Sequence, residues 1–329
     1  MAGRGSRLRP HTLTTPKPLI SVAGKPIVQR LVEDIVKICK KQVDEIAYII
    51  GDFGKETEEQ LINIAHNLGS KGKIYYQQEP LGTAHAILCA QESLTGNCVV
   101  AFADTLFKAD FDLDSTKDGI IWVSQIEDPS SFGVVKVNQK NIITDFFEKP
   151  EVFVSDLAII GIYYFKDGDY LKKELQYLLD NNIKEKGEYQ LTSALENMKK
   201  KGTKFSTGKV LEWLDCGNKN ATVYTNKRVL NFNGNQINKS TEIVDSEIIE
   251  PCFIGDNVNI KKSKIGPYVA IQQGTIIENS NISNTIIQNN TQIKDAFLVN
   301  SMIGSNVVYK GNKIKQDISI GDYTEVRNA

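Results

Sequence analysis

The sequence predicts an α/β domain, a mixed and mainly parallel sheet covered by helices, followed by a parallel β-helix built from short repeats. Three observations carry that expectation. From Pro26 to about Leu230, amphipathic stretches alternate with short apolar runs, the pattern of strands and covering helices. After about residue 240 the chain becomes rich in Ile and Asn and loses helical periodicity, and its apolar residues return at a fixed spacing. The length of 329 residues, 41% of them hydrophobic and 24% charged, exceeds one average domain, so the expected division is 1–240 and 241–329.

In the first segment, strands are predicted at Glu45 to Ile50, Lys73 to Tyr76, Cys98 to Phe102, Ile120 to Val123, Val134 to Val137 and Ile159 to Phe165, each a short β-branched or aromatic run. Helices are predicted over 26–39, 55–68, 83–93, 168–182 and 189–200 from apolar residues recurring every three or four positions. Loops beyond the carboxyl ends of parallel strands form the ligand crevice of such sheets, so the residues just after the apolar runs are the first functional candidates.

In the second segment, Ile248, Ile265, Ile282 and Val299 fall 17 residues apart, as do the pairs Ile254 and Ile271, Ile260 and Ile277, and Ile303 and Ile320. Within a period, apolar residues recur every five or six positions, a hexapeptide repeat in which three strands make one triangular coil with Ile stacked inside. Asn suits the corners because it tolerates left-handed dihedrals. Such repeats resemble left-handed parallel β-helices, and about four coils are expected, with Lys310 to Lys313 breaking the rhythm.

Composition excludes several functions. With 39 basic against 40 acidic residues, no broad field attracts nucleic acid or an anionic membrane. Five scattered cysteines, Cys39, Cys89, Cys98, Cys216 and Cys252, lack the spacing of a zinc site or redox pair and point to a reduced, cytoplasmic protein. No apolar run approaches a membrane span and no secretory leader is visible. The three histidines, His11, His66 and His85, lie in separate segments, and none suggests a Ser-His-Asp arrangement.

The richest stretch is the opening one, Gly3-Arg4-Gly5-Ser6-Arg7-Leu8-Arg9-Pro10, followed at residues 16–18 by Pro-Lys-Pro. Gly3 and Gly5 let backbone N–H groups approach a phosphate chain while Arg7 and Lys17 flank it with fixed cations, a cradle for a nucleoside triphosphate. The Walker pattern is absent, and the dinucleotide fingerprint lacks its third glycine where Leu8 stands.

The stretch resembles the loop of the sugar-1-phosphate nucleotidyltransferases, Gly-Gly-x-Gly-Ser/Thr-Arg-Leu-x-Pro-x-Thr with a following Lys-Pro. Within that family it looks closest to the glucose-1-phosphate thymidylyltransferases. One glycine of the pair is Ala2 here, and only Met1 and Ala2 stand where the family has an apolar strand, so the natural gene is expected to start upstream. The resemblance implies a Rossmann-like nucleotidyltransferase domain ahead of the left-handed β-helix, with Gly3, Gly5 and Ser6 binding phosphate.

Further motifs agree. Gln77-Gln78-Glu79-Pro80-Leu81-Gly82-Thr83-Ala84 follows a strand and opens a helix. It resembles the family's base-recognition segment, which makes Gln77, Gly82 and Thr83 substrate-binding. A Gln amide presents a donor and an acceptor to the O4 and N3–H edge of uracil or thymine, and the similar guanylyltransferases tend to carry Glu there. Asp104 and Asp215, the second within Trp213-Leu214-Asp215-Cys216-Gly217, each end an apolar run. Alone, either reads as a turn residue; both match the family's aspartates for Mg²⁺, an ion that takes one or two carboxylates plus phosphate and water. Glu148-Lys149 in Phe146-Phe147-Glu148-Lys149-Pro150 matches a Glu for sugar hydroxyls and a Lys for the sugar phosphate. Gly133 and Gly161 match places where backbone approaches the sugar.

The implied activity is transfer of a nucleotidyl group from a pyrimidine nucleoside triphosphate, dTTP or UTP, to a sugar-1-phosphate, expected to be glucose-1-phosphate, with release of pyrophosphate. No general base is needed, because a phosphate monoester is already largely dianionic at neutral pH. Arg7, Lys17 and Lys149 are the expected catalytic cations. The alternatives are a non-catalytic nucleotide-sugar-binding regulator or scaffold, a guanylyl- or uridylyltransferase acting on another hexose-1-phosphate, and an acyltransferase in the β-helix. The last is opposed by a repeat region without histidine. The β-helix is expected to serve assembly of a homo-oligomer.

Overall fold

The computed structural model describes residues 5–110 and 112–327. They form two compact units, one containing residues 31–213 and the other the described parts of 4–30 and 214–329. The repeat region thus shares its unit with the opening loop.

The helices of the first unit bury regular apolar stripes. Gly168–Asp180 starts at Asp167, whose side chain accepts the Tyr170 N–H at 2.9 Å, and it buries Leu171, Leu175 and Leu178, spaced to fall on one face. Lys55–Asn67 places Glu56 and Glu58 in its first turn and His66 in its last, complementing the helix dipole. The expected helix over 83–93 is α-helical only over Thr83–Leu88 and continues as a short 3-10 turn, Gln91–Ser93.

The sheet is mixed. Its order runs Phe205–Lys209, Gly119–Gln125, Leu157–Phe165, Gly133–Val137, Ile143–Glu148, with Cys98–Ala101 also paired to Leu157–Phe165. Alternation of helices and strands predicts mainly parallel pairs. In this described sheet the antiparallel ones dominate, and only Phe205–Lys209 runs parallel to its neighbour. The cause is local: Gly133–Val137 returns directly as Ile143–Glu148, and a short connection permits only an antiparallel partner. Glu45–Ile50 and Lys71–Tyr76 form a separate parallel pair, as a crossover through the helix between them requires. Trp122, Tyr164, Phe165 and Phe205 are fully buried, and the rings of Phe165 and Phe205 meet edge to face at 6.2 Å.

In the second unit the helix Lys219–Asn233 has no counterpart among the predicted elements. It is capped by Asn218, which accepts the Ala221 N–H, and its buried face contains Thr222, Thr225 and Asn226 beside Val223, Val229 and Leu230. Buried polar residues erase the apolar stripe that sequence reading relies on. Asn226 Oδ1 accepts the Ala23 N–H at 2.9 Å, its Nδ2 donates to the Tyr268 carbonyl, and the Thr225 hydroxyl donates to the Asp215 carbonyl.

The repeats form a parallel β-solenoid with faces of six, six and five strands. This exceeds the four coils expected: the opening strands Gln236–Ile237 and Glu242–Val244 add a further coil, in which Ile237 and Ile243 stand in register with Ile254 and Ile260 although the strands are exposed. Ile248, Ile265 and Ile282 stack at the predicted 17-residue spacing. The next member of that stack is Leu298, not Val299. One corner is a residue shorter from there, and a single-residue slip turns the neighbouring side chain to the other face. Corner asparagines 257, 279, 284, 290, 300 and 306 adopt φ from 43° to 56°, the left-handed region expected of them. At one corner, where strand pairing lapses, serines replace it: Ser246, Ser263 and Ser280 Oγ accept the N–H of Ser263, Ser280 and Ala296 at 3.0–3.1 Å. The interruption at Lys310 to Lys313 appears as an 18-residue step from Leu298 to Gln316.

The register has a direct test. Leu298→Ala should lower stability to denaturant by about 2–5 kcal/mol, whereas Val299→Ala should cost less than about 1 kcal/mol. Equal losses would mean that Val299 shares the interior.

Candidate functional site

The opening loop of the second unit consists of three short 3-10 turns, Ser6–Leu8, His11–Leu13 and Lys17–Leu19. Gly5 sits at φ 58°, and a Cβ there would lie 3.0 Å from Thr12 Cγ2 and 3.1 Å from Lys17 Cβ. Its carbonyl accepts the Thr12 hydroxyl at 2.8 Å and the Leu8 N–H at 2.9 Å. Glycine is therefore required twice, by dihedral and by space, and it draws the Lys17 stem against the turn that carries Ser6 and Arg7. Ser6 and Arg7 are exposed, and Leu8 between them and Arg9 is buried. The expected phosphate contact at Gly3 lies outside the described residues.

His11 is buried, at 2% exposure, with its Nε2 3.0 Å from Ser319 Oγ. Burial lowers its pKa from 6.5 to about 4, against the pull of Asp322 and with the help of Lys219, so the ring is neutral at pH 7.

In the first unit, Gln77 follows the strand Lys71–Tyr76 and donates from Nε2 to the Gly82 carbonyl and to His85 Nδ1, both at 3.1 Å. The donor end that sequence reasoning left to a base is thus engaged within the protein, and the carbonyl end is what Gln77 can present. His85, one of the three scattered histidines, orients it. Gly82 has φ 116°, and a Cβ there would lie 2.4 Å from the Tyr189 carbonyl oxygen and 2.8 Å from its nitrogen. The Thr83 hydroxyl donates to Gln190 Oε1 and accepts the Leu191 N–H. Both residues thus clasp the segment 189–191, a requirement that exists without any ligand and that nothing near residue 82 in the sequence announces.

Glu148 and Lys149 end the strand Ile143–Glu148. Glu148 Oε2 accepts the Thr192 hydroxyl at 3.1 Å, and Lys149 Nζ lies 3.7 Å from Oε1. Burial raises the Glu148 carboxyl above its usual range, with Lys149 and Thr192 opposing. Gly133 pairs with Glu148 across the sheet, and a Cβ there would approach Glu148 Oε2 to 3.4 Å. Gly161, at φ 83°, sits where Leu157–Phe165 shifts register, and a Cβ would meet Phe102 at 3.0 Å. Glu148, Lys149, Gly133 and Thr192 therefore form one cluster; Gly161 belongs to a bulge braced by Phe102.

Asp104 lies in the turn between Cys98–Ala101 and Thr105–Lys108, half-buried. Asp215 ends the strand Glu212–Asp215, and its carboxylate folds back over Gly217, where a Cβ would lie 2.8 Å from Oδ2. Asp104 belongs to the first unit and Asp215 to the second, with Gly5, Ser6, Arg7 and Lys17. Among the described residues no three His, Cys, Asp or Glu side chains group closely enough to hold a metal. A cation bound by either aspartate has to draw most of its ligands from phosphate and water, the coordination magnesium takes.

Residues 1–231 match the family model described as nucleotidyl transferase. The bifunctional protein GlmU of Methanocaldococcus jannaschii is 30% identical over 98% of this chain and 80% of its own length. The low-salt glycan biosynthesis nucleotidyltransferase Agl11 of Haloferax volcanii is 27% identical over 92% and 90%. The mannose-1-phosphate guanylyltransferase catalytic subunit beta of Drosophila melanogaster is 35% identical over 50% and 46%. A structure of UDP-glucose pyrophosphorylase complexed with UDP-glucose superposes with a TM-score of 0.57 at 21% identity, covering 70% of this chain and 96% of that one. A Bacillus anthracis structure assigned as a glucose-1-phosphate thymidylyltransferase gives 0.57 at 22%, covering 68% and 91%. At these identities the structures establish the fold.

Neutral burial of His11 predicts a pH dependence. Because its folded pKa is about 4 and its ordinary value 6.5, the unfolded chain binds a proton that the folded one refuses, so stability falls as pH drops from 6.5 towards 4 and levels off below. The loss attributable to this site is about 3 kcal/mol. It should vanish in His11→Gln when urea unfolding is measured across that range.

Proposed function

The chain belongs to the nucleotidyl transferase family and is a sugar-phosphate nucleotidyltransferase; we propose that its nucleotide is a pyrimidine triphosphate, dTTP or UTP, and its acceptor glucose-1-phosphate. The observation that carries the base assignment is the orientation of Gln77, whose amide nitrogen is held by Gly82 and His85. A neutral carbonyl acceptor suits the single imide N–H of uracil or thymine. Guanine offers two adjacent donors, which two carboxylate oxygens meet better.

In the proposed reaction an oxygen of the sugar-1-phosphate attacks the α-phosphorus in line. A new P–O bond forms, the bond from the α-phosphorus to the bridging oxygen breaks, and pyrophosphate leaves with the electron pair. The task of the protein is to position two anions and to stabilise the charge that develops. Arg7 is assigned to the departing pyrophosphate, Lys17 to the phosphates near the reacting centre and Lys149 to the incoming phosphate. Lys149 stands 3.7 Å from the Glu148 carboxyl, whose pKa burial raises above its usual range against the pull of Lys149. Glu148 accepts from the sugar hydroxyls. Asp104 and Asp215 are assigned to Mg²⁺, which when bound neutralises phosphate charge. None of the five cysteines is in a disulfide, which fits a cytoplasmic setting, and no helix among the described residues is long and apolar enough to cross a membrane. The solenoid is proposed as the surface of a homo-oligomer.

Pyrophosphate release measured with dTTP, UTP, CTP and GTP against several hexose-1-phosphates tests the assignment. Turnover should be greatest with dTTP or UTP and glucose-1-phosphate; preference for GTP would overturn it. Gln77→Glu should lower kcat/KM for the pyrimidine triphosphate by about tenfold to a hundredfold, because the carboxylate repels the Gly82 carbonyl and His85 nitrogen that Gln77 now binds. Lys17→Ala should lower kcat by about a hundredfold or more, and near-normal turnover would remove Lys17 from its role.

A further inference from the structure

The last coil of the solenoid holds the loop that carries Arg7 and Lys17. The Thr14 and Thr15 hydroxyls both donate to Asp322 Oδ2, at 2.5 and 3.1 Å, across more than 300 residues of sequence. The other oxygen, Oδ1, accepts the Ser305 N–H at 2.7 Å, so the carboxylate is fixed from below by its own solenoid while it grips the loop. Around it, His11 Nε2 meets Ser319 Oγ at 3.0 Å, and a Cβ on Gly321 would lie 2.9 Å from Pro10 Cβ. An earlier coil adds Gln288 Nε2, which donates to the Ser21 carbonyl at 3.1 Å. The loop has little means of ordering itself: between Gly5 and Leu19 only Leu8, His11 and Pro18 are buried, and its regular structure is limited to single 3-10 turns, which are weak in isolation.

We infer that Asp322 is a positioning residue for nucleotide binding, which sets the conformation of the loop through Thr14 and Thr15 and hence the placement of Lys17 two residues further on. This rests on the reading of that loop as the triphosphate cradle. An ionised acceptor makes stronger hydrogen bonds than a neutral one, and both hydroxyls converge on one oxygen, so loss of the carboxylate releases both residues together. The solenoid is then part of the machinery that prepares the loop for its ligand. An uncharged or absent last coil leaves the cations of the loop to be ordered by the nucleotide itself, at the expense of affinity.

The test compares Asp322→Ala, Thr14→Ala/Thr15→Ala and the triple variant in the full chain. Each of the first two should raise KM for the triphosphate about tenfold or more, leaving KM for the sugar phosphate within about twofold of wild type. The triple variant should be no worse than Asp322→Ala, since all three remove one interaction. Thr14→Ala/Thr15→Ala leaves Asp322 bonded to Ser305, so its effect does not depend on fraying of the last coil. Unchanged KM in that variant, or additive losses in the triple, would overturn the inference. Amide hydrogen exchange over residues 12–19 supplies a readout independent of turnover: it should accelerate in both Asp322→Ala and the threonine pair. Should the wild-type protein release no pyrophosphate with any substrate pair, the catalytic reading fails, and unaltered exchange in the variants would separately sink the role of Asp322.

Discussion

The inward stack of mostly isoleucine side chains is the constraint on which the second unit depends. Cys252, Ile254, Ile260, Ile265, Ile271, Ile277, Ile282, Ile287 and Leu298 lie in one continuous interior and are essentially inaccessible to water. Each Ile or Leu contributes about 1.5–3 kcal/mol of burial, and each is aligned with the residue one coil below. Once that alignment is set, everything outside it is set too. Corners fall where asparagine can turn left-handed, serines fall where ladder bonds lapse, and the last coil presents Ser319 and Asp322 at defined positions. The opening loop, poor in buried apolar surface, is braced by that edge through His11, Thr14 and Thr15 in addition to its own turns.

In the other unit the corresponding constraint is backbone proximity. Gly82 admits the Tyr189 backbone, Gly133 leaves room for the Glu148 carboxylate, and Gly161 accommodates a bulge over Phe102. The polar groups nearby then have few choices. Thr83 is held between Gln190 and Leu191, Gln77 between Gly82 and His85, and Glu148 by Thr192. Side chains fixed by such partners cost little to reorganise when a ligand arrives, which is where electrostatic catalysis gains its advantage. The same economy governs charge: Glu148 is biased towards neutrality by burial, and His11 is kept uncharged although Asp322 pulls the other way.

Much of this was legible in the sequence. Five of the predicted helices and all six predicted strands exist at nearly the expected places, because apolar periodicity reports burial directly. The repeat and its asparagine corners were legible for the same reason. The helix Lys219–Asn233 was not, since its buried face includes polar Thr222, bonded to the Asn218 carbonyl one turn back, Thr225, bonded to Asp215, and Asn226, bonded to Ala23 and Tyr268, and a polar residue carries no sign of a partner far along the chain. Local strand spacing also concealed the shorter corner that makes Leu298, not Val299, an interior residue.

Motif chemistry and repeat period are properties of neighbouring residues, so the sequence alone determined the membership of the nucleotidyl transferase family, marked the opening loop and Gln77, Glu148 and Lys149 as candidates for its site, and determined the solenoid that follows. Which end of the Gln77 amide is available, why residue 82 has to be glycine, and what braces Thr14 and Thr15 were decided only by the tertiary structure. These depend on His85, Tyr189 and Asp322, groups brought into hydrogen-bond or van der Waals range by folding, and interactions of such short range leave no trace in linear order.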